Sequence, residues 1–300
     1  MPAVVGTGGL PTWFGVAGMQ SQKGISRRRL LKVAACGAVA VALEAIVREP
    51  NRLKFERCEV AIKDLAPEFD GYRIALLSDV HYPHCISTAF IQRAIHLANA
   101  FKPDLIAMPG DFVDEKGSAT VPSLAGLFDD ARATDGVFGV LGNHDHWLDA
   151  EGTRRELAKS TPIRLIENTH VMIERGAGAL AIGGVGDLWE GEVDPECAFL
   201  GVAPDVPRIL LSHNPDLAEE MTAPVRVDLQ LSGHTHGGSV RLPFGYAPCM
   251  PSKYGQKFRE GLVQGKSHRV YVTRGLVSLW HMRFMCPPDV TGITLRRAIS

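Results

Sequence analysis

The chain has 300 residues, 45% of them hydrophobic, which is ample for a packed core and excludes a wholly disordered polymer. Its 32 Lys and Arg are balanced by 33 Asp and Glu, so no global basic field suits nucleic acid and no acidic excess makes a solvating tail. Six scattered cysteines (Cys36, Cys58, Cys85, Cys197, Cys249 and Cys286) lack the density of a disulfide scaffold and read mostly as free thiols.

At the N-terminus, Ser26-Arg27-Arg28-Arg29-Leu30-Leu31-Lys32 precedes the uncharged run Val33 to Leu43, the basic-then-apolar order of an export signal. The string resembles a twin-arginine signal, with Leu30 where Phe is commoner. The uncharged run is shorter than the roughly 20 residues of a membrane span, although Leu30 to Val47 could still anchor. Ala40-Val41-Ala42 offers a small-x-small cleavage site. Residues 1–49 are therefore read as a signal or membrane anchor, with Met19 as an alternative start, and residues 50–300 as one catalytic domain. The expected partner is the twin-arginine machinery, and the expected location is extracytoplasmic: periplasm, cell wall or membrane-anchored.

From Arg52 onward, short β-rich runs alternate with helical patterns. Lys54 to Ile62 is an edge strand, and Tyr72 to Leu77 a strand buried on both faces. Ile91, Ala94, Ile95 and Ala98 recur at helical spacing. Asp104 to Met108 is the next strand, Val121 to Ala131 a helix, Gly136 to Leu141 a strand, and Arg154 to Lys159 a helix. Later strands are read at Val171–Glu174, Leu180–Val185, Arg208–Leu211, Val227–Leu231, Arg269–Thr273 and Gly292–Leu295. The sheet-rich second half points to an α/β fold of two packed sheets flanked by helices rather than one doubly wound sheet.

Each apolar strand ends in a polar cluster: Ser78-Asp79-Val80-His81, Gly110-Asp111, Gly142-Asn143-His144-Asp145, Ser212-His213 and Gly233-His234-Thr235-His236. The carboxyl ends of strands are where such folds place their sites. Two divalent ions about 4 Å apart need a shared carboxylate to offset their repulsion, and Asp111 suits that bridge. Asp79, His81 and a further imidazole can complete one ion; Asn143, His213 and another imidazole can complete the other. The mixed nitrogen and oxygen donors suit Mn, Fe or Zn. Such a pair attracts an anionic phosphate ester and lowers the pKa of a bridging water towards hydroxide. His144, free of the ions, can protonate the leaving oxygen, with Asp145 as a partner that orients or charges its ring. Arg241 and Arg283 are candidate phosphate clamps, His146 and Trp147 candidate walls, and Met282, Phe284 and Met285 candidates to meet a lipid chain.

Asp-x-His at 79–81, Gly-Asp at 110–111, Gly-Asn-His-Asp at 142–145 and Gly-His-Thr-His at 233–236, in that order, resemble the calcineurin-like metallophosphoesterases. The strings Glu49 to Leu53, Asp70 to Ile74, Leu211 to Asp216 and His234 to Pro243 resemble their bacterial YkuE/YaeI-type phosphodiesterase branch. The resemblance implies a four-layer fold with two packed mixed β-sheets and flanking helices, and a dinuclear centre. By it, Asp79, His81, Asp111 and His236 would hold one metal, and Asp111, Asn143, His213 and His234 the other. It also makes His144 the substrate-facing histidine. The implied activity is metal-dependent hydrolysis of a phosphate ester, phosphodiester or monoester, possible substrates including lipid-linked ones. A nuclease or a non-catalytic metal- or phosphate-binding protein is the alternative, and the missing basic stripe argues against nucleic acid. The loop at Val277 to Met282 departs from the branch, carrying Leu279, Trp280, His281 and Met282 where small residues are expected.

Overall fold

The computed structural model describes residues 2–3, 6, 26–84, 86–115, 120–278 and 281–298. Met19, Cys85, Leu279 and Trp280 lie outside the described residues. The chain divides into two compact units, 1–41 and 42–300. In the first, helix α1 (Arg27–Leu43) begins; none of its residues is buried. Less regular helical turns carry the apolar segment on to Asn51, giving 25 residues with a mean hydropathy of 2.1 in the most apolar stretch. That segment is long and apolar enough to cross a membrane.

The second unit contains two six-stranded mixed sheets. The first half of the unit supplies β1 (Lys54–Ile62), β2 (Arg73–Leu76), β3 (Leu105–Pro109), β4 (Gly136–Val140) and β5 (Ile163–Leu165). The second half supplies β6 (Thr169–Arg175), β7 (Gly178–Gly184), β8 (Arg208–Leu211), β9 (Leu229–Ser232), β10 (Gly261–Gln264) and β11 (Arg269–Val272). The last strand, β12 (Asp289–Arg297), returns to the first sheet between β1 and β2, parallel to one and antiparallel to the other. In the first sheet β2, β3, β4 and β5 run parallel, and in the second β7, β8, β9 and β11 do.

Alternation within the strands builds the layers. Ile74 and Leu76, with Leu105, Ala107, Phe138 and Val140, meet Ile182, Ile209, Leu211, Leu229 and Leu231 of the other sheet in a single buried cluster. The opposite face of the first sheet, carrying Ala75, Ile106, Met108 and Val137, packs on Phe90, Ile91, Ala94, Ile95 and Ala98 of α2 (Thr88–Ala100) and on Leu157 of α3 (Asn143–Ser160). The outer face of the second sheet is covered through Ala198 of α4 (Pro195–Ala198) and Leu217 of α5 (Leu217–Glu220). The fold is the expected sandwich of two mixed sheets with helices on both outer faces.

Three local expectations change. Val121 to Ala131 is a series of turns rather than a helix. Leu124, Leu127, Phe128 and Ala131 are buried at helical spacing, but the positive φ of Gly126 (79°) interrupts the helical path. The loop is held instead by Glu156, which accepts from the Leu124 N–H, and by Asn99, which bonds Asp130 and Arg132. Helix α3 starts eleven residues earlier than its periodicity suggests, at Asn143, with a break at Asp149 (φ −175°, ψ 96°) that spoils the pattern in between. Strands β5 and β10, three and four residues long, are not among the strands expected from the sequence.

Candidate metal centre

Every predicted ligand lies just beyond the carboxyl end of a parallel strand: Asp79 and His81 after β2, Asp111 after β3, Asn143 after β4, His213 after β8, and His234 and His236 after β9. All seven side chains are buried. The backbone turns sharply to aim them: Asp79, His81, Asp111, His234 and His236 have φ of 57°, 48°, 57°, 69° and 50°. Non-glycine residues in this left-handed region cost about 1–3 kcal/mol each and persist where surrounding structure over-determines them. Here the determinants are hydrogen bonds between loops. The N–H groups of Val80 and His81 donate to the Asp111 carbonyl, and the Asp79 N–H donates to that of Gly110. Glycine is required at the crossing points: a Cβ on Gly142 would lie 2.2 Å from Asp111 Oδ1, and one on Gly233 would lie 2.2 Å from Ser78 Oγ.

Ligand atoms of Asp79, His81, Asp111 and His236 fall within 4.8 Å of one another. Asp111 Oδ2 is 3.0 Å from His213 Nε2 and 3.5 Å from His81 Nε2, so this one carboxylate reaches imidazoles from both groups. Across the site, His234 Nδ1 is 3.0 Å from the amide oxygen of Asn143. Two observations test whether these residues suit cations. Asp79 Oδ2 and the Nε2 atoms of His81 and His234 are buried without a hydrogen-bond partner, which is costly unless a further group satisfies them. The far nitrogens of His213 and His236 bond the main-chain carbonyls of Pro109 (2.7 Å) and Val277 (2.8 Å). Such outer bonds orient imidazoles that bind metal and fix which nitrogen faces it. The residues fit a divalent metal site.

The electrostatics agree. Burial pulls the His81, His234 and His236 imidazoles down, favouring the neutral rings that coordination requires. Burial acts the same way on His213, but Asp111, Asp79 and Asp187 outweigh it and lift that ring to about 10. The pocket is therefore arranged to attract positive charge. Burial would raise Asp111, yet His213, His144 and His81 hold it well below the usual carboxylate range.

His144 sits beside this cluster, its ring 4.5 Å from that of His81. The carboxylate that meets it is not Asp145. Glu115 Oε2 lies 2.6 Å from His144 Nδ1, and Asp114 Oδ1 4.0 Å. Asp145 is turned the other way, accepting from the N–H groups of Asp111, Phe112, Val113 and Gly142 at 2.9–3.0 Å. It ties the loop bearing Asp111 to the start of α3. Burial and the Asp111 charge push its carboxyl up to about 7, against the pull of those N–H groups.

Arg241 and Arg283 are committed elsewhere. Arg241 bonds the Gly237 carbonyl and Glu260, and the buried Arg283 donates to the carbonyls of His236, Arg274, Gly275, Val277 and Cys286. Both brace the loop behind His236. Trp147 does form a wall, its ring 4.7 Å from that of His144. Sequence reasoning missed Asp114, Glu115 and Asp187. The first two follow Asp111 so closely that the acidic loop was itself a signal; Asp187, after β7 in Gly186-Asp187, repeats the strand-end pattern of the other clusters.

A family model described as calcineurin-like phosphoesterase matches residues 72–238. The chain is 33% identical over 290 residues to metallophosphoesterase YkuE of Bacillus subtilis (strain 168), covering 91% of this chain and 99% of that one. It is 32% identical over 276 residues to phosphodiesterase YaeI of Escherichia coli (strain K12), covering 90% and 99%. It is 26% identical over 296 residues to UDP-2,3-diacylglucosamine pyrophosphatase LpxG of Chlamydia trachomatis serovar D, covering 81% and 89%. With the motifs, the two-sheet fold and the buried Asp/His cluster in agreement, the chain belongs to the calcineurin-like phosphoesterases, hydrolases that act on phosphoric ester bonds.

Proposed function

We propose that the protein is a metal-dependent phosphodiesterase or phosphatase with a dinuclear centre. The observation that carries this reading is the set of buried, unpartnered donor atoms on Asp79, His81 and His234, gathered with His213 around Asp111. Asp79, His81, Asp111 and His236 would hold one cation, and Asp111, Asn143, His213 and His234 the other; Mn, Fe and Zn match the donors. When bound, the two cations supply Lewis acidity that stabilises charge on phosphoryl oxygens and acidifies water.

The chain's own residues do the rest. Asp111 spans the two ligand groups and offsets the repulsion between their cations. Asp145 and Asp187 are also buried beside the ligands, and burial raises both carboxyls, Asp145 to about 7. Glu115 accepts from His144 Nδ1 and stabilises the imidazolium, which leaves Nε2–H to donate to a phosphate oxygen and then to the departing alkoxide.

The apolar segment Arg27–Asn51 and the name of the chlamydial relative support a lipid-linked substrate met outside the cytoplasm, with residues 1–49 as signal or anchor. Export by the twin-arginine route rests on the Arg27-Arg28 pair; replacing both by Lys should abolish translocation, and unchanged fractionation would reject that route. For the activity, the full chain in detergent should be loaded with Mn²⁺ and assayed on the mono- and bis-p-nitrophenyl esters of phosphate. Metal-dependent release of p-nitrophenol with about two ions per chain is expected. No more than one ion per chain, after loading with manganese, iron or zinc in turn, overturns the dinuclear reading.

A further inference from the structure

Next to the metal centre stands a feature that the hydrolysis of phosphate does not require. Trp147 and Trp189 are both large, and 45% and 42% exposed. Their rings lie nearly parallel, 28° apart with centroids at 6.5 Å. Each also touches the site: Trp147 packs against His144 with centroids at 4.7 Å, and Trp189 meets His234 edge-on at 4.4 Å. The two indoles thus span from the histidine assigned to the leaving oxygen to one assigned to a cation.

The pair is held in place before any ligand arrives. Trp147 Nε1 donates to Glu190 Oε1 at 2.8 Å, tying the second turn of α3 to the loop after β7. That loop is closed on itself. Asp187 Oδ1 accepts from the N–H groups of Trp189 (2.9 Å) and Glu190 (3.1 Å), the Gly191 N–H donates to the Asp187 carbonyl, and the Gly186 N–H to that of Glu192. It is also tight, since a Cβ on Gly186 would fall 2.4 Å from the Glu192 carbonyl oxygen. Two exposed indoles fixed this rigidly present a large apolar area with little ordering entropy left to lose on binding.

We propose that Trp147 and Trp189 form a shelf that stacks a planar, uncharged ring carried by the ester group of the substrate, such as an aryl ring or a nucleobase, and so determine specificity. This deepens the phosphoesterase reading and rests on it. The geometry places the shelf where the alcohol portion lies once the phosphoryl group faces the Asp/His cluster. Glu190 accepts from the Trp147 indole, so a second anionic group is disfavoured there and a neutral ring is not. Flat indole faces on an open surface suit a flat partner rather than an acyl chain, which gains more from a deep apolar cleft.

The test uses the Mn²⁺-loaded full chain with two non-hydrolysable probes, phenylphosphonate and n-butylphosphonate, read by quenching of tryptophan fluorescence and by competition in the p-nitrophenyl ester assay. Phenylphosphonate should bind more tightly. Replacing Trp147 or Trp189 by Ala should lower the phenyl-to-butyl affinity ratio by about fivefold or more, since stacking on one aromatic side chain contributes roughly 1–3 kcal/mol. Trp147→Phe and Trp189→Phe keep a ring and should retain most of the ratio, with circular dichroism and metal content matching the parent. A ratio unchanged in the Ala variants, a parent that favours the butyl probe, or Phe variants that behave like Ala would each overturn the shelf. Absence of hydrolysis by the parent on any ester would sink the phosphoesterase reading instead, and the fluorescence ratio would still report on the shelf.

Discussion

The two sheets bring different chemistry to one centre. The loops after β2, β3 and β4 carry the two carboxylates proposed as ligands, Asp79 and Asp111, with His81 and the amide of Asn143; of the proposed ligands, those after β8 and β9 carry only imidazoles, His213, His234 and His236. Charge is thus concentrated on the first sheet and neutral donors on the second. The buttressing differs as well. On the first sheet a side chain, Asp145, gathers four backbone N–H groups, whereas on both sides of the second the orienting bonds are to main-chain carbonyls of Pro109 and Val277. A change on the first sheet should therefore remove the electrostatic reason for holding two cations, and a change on the second should mainly disturb geometry.

The strongest test of this division is Asp111→Asn. The amide keeps the shape but loses the charge shared between the two ligand groups, so metal content and turnover should fall together, with activity reduced to background in the ester assay. Two ions retained with ordinary turnover would break the comparison at its centre. His144→Ala should separate chemistry from metal: turnover falls by about 10²- to 10⁴-fold while elemental analysis finds the parent's metal content. Glu115→Gln should lower turnover less, because a neutral amide still orients the ring but stabilises its charged form poorly. If Glu115→Gln equals the parent, the 2.6 Å contact at Nδ1 plays no part in proton donation.

Asp145 sharpens the comparison through stability. Replacing it by Ala leaves the N–H groups of Asp111, Phe112, Val113 and Gly142 buried without their acceptor. An orphaned buried donor costs about 1–3 kcal/mol, so a loss on the order of 3 kcal/mol or more is expected in urea unfolding. Metal affinity should drop with it, since three of those groups belong to the loop that carries Asp111. A variant as stable as the parent would show that the first sheet's loops are held by other contacts.

Much of the site was legible because its residues break strong patterns. A buried apolar strand that ends in Ser-Asp-x-His or Gly-Asn-His-Asp puts polar groups where the chain could otherwise continue in hydrocarbon, and that interruption is visible without coordinates. The order of strands was harder to read. β12 comes last in the chain yet inserts between β1 and β2, and no local periodicity encodes a pairing over such a separation. The stretch from Val121 to Ala131 shows the opposite failure: its apolar spacing is helical, but long-range bonds from Glu156 and Asn99 hold the same side chains in the core as turns. Asp145 was read from adjacency to His144, whereas the first turn of a helix swings neighbouring side chains about 100° apart. Its acceptor role depends on the N–H groups of a loop more than thirty residues earlier, and only the folded chain brings them together.

A last effect, visible only as a pH dependence, concerns His268, buried just before β11 and outside the Asp/His cluster. His268 Nε2 lies 2.6 Å from Gln230 Oε1, and the Gln230 amide nitrogen donates to Ser232 Oγ and to the Asn214 carbonyl. Because that nitrogen is the donor, Gln230 Oε1 must accept, and His268 presents Nε2–H to it. Burial pushes the His268 imidazole down to about 4, from 6.5 for a free side chain. The folded state therefore binds fewer protons than the unfolded chain between these values, and its stability declines as pH falls through that window. The contribution is complete above pH 6.5 and gone below about 4, with a full span on the order of 3 kcal/mol. In urea unfolding of the chain and of His268→Gln across this range, the difference in stability should shrink steadily as the pH drops. A difference independent of pH would mean that His268 is charged, or solvated, in the folded protein, and that the second sheet's polar interior is less dry than its imidazole ligands require.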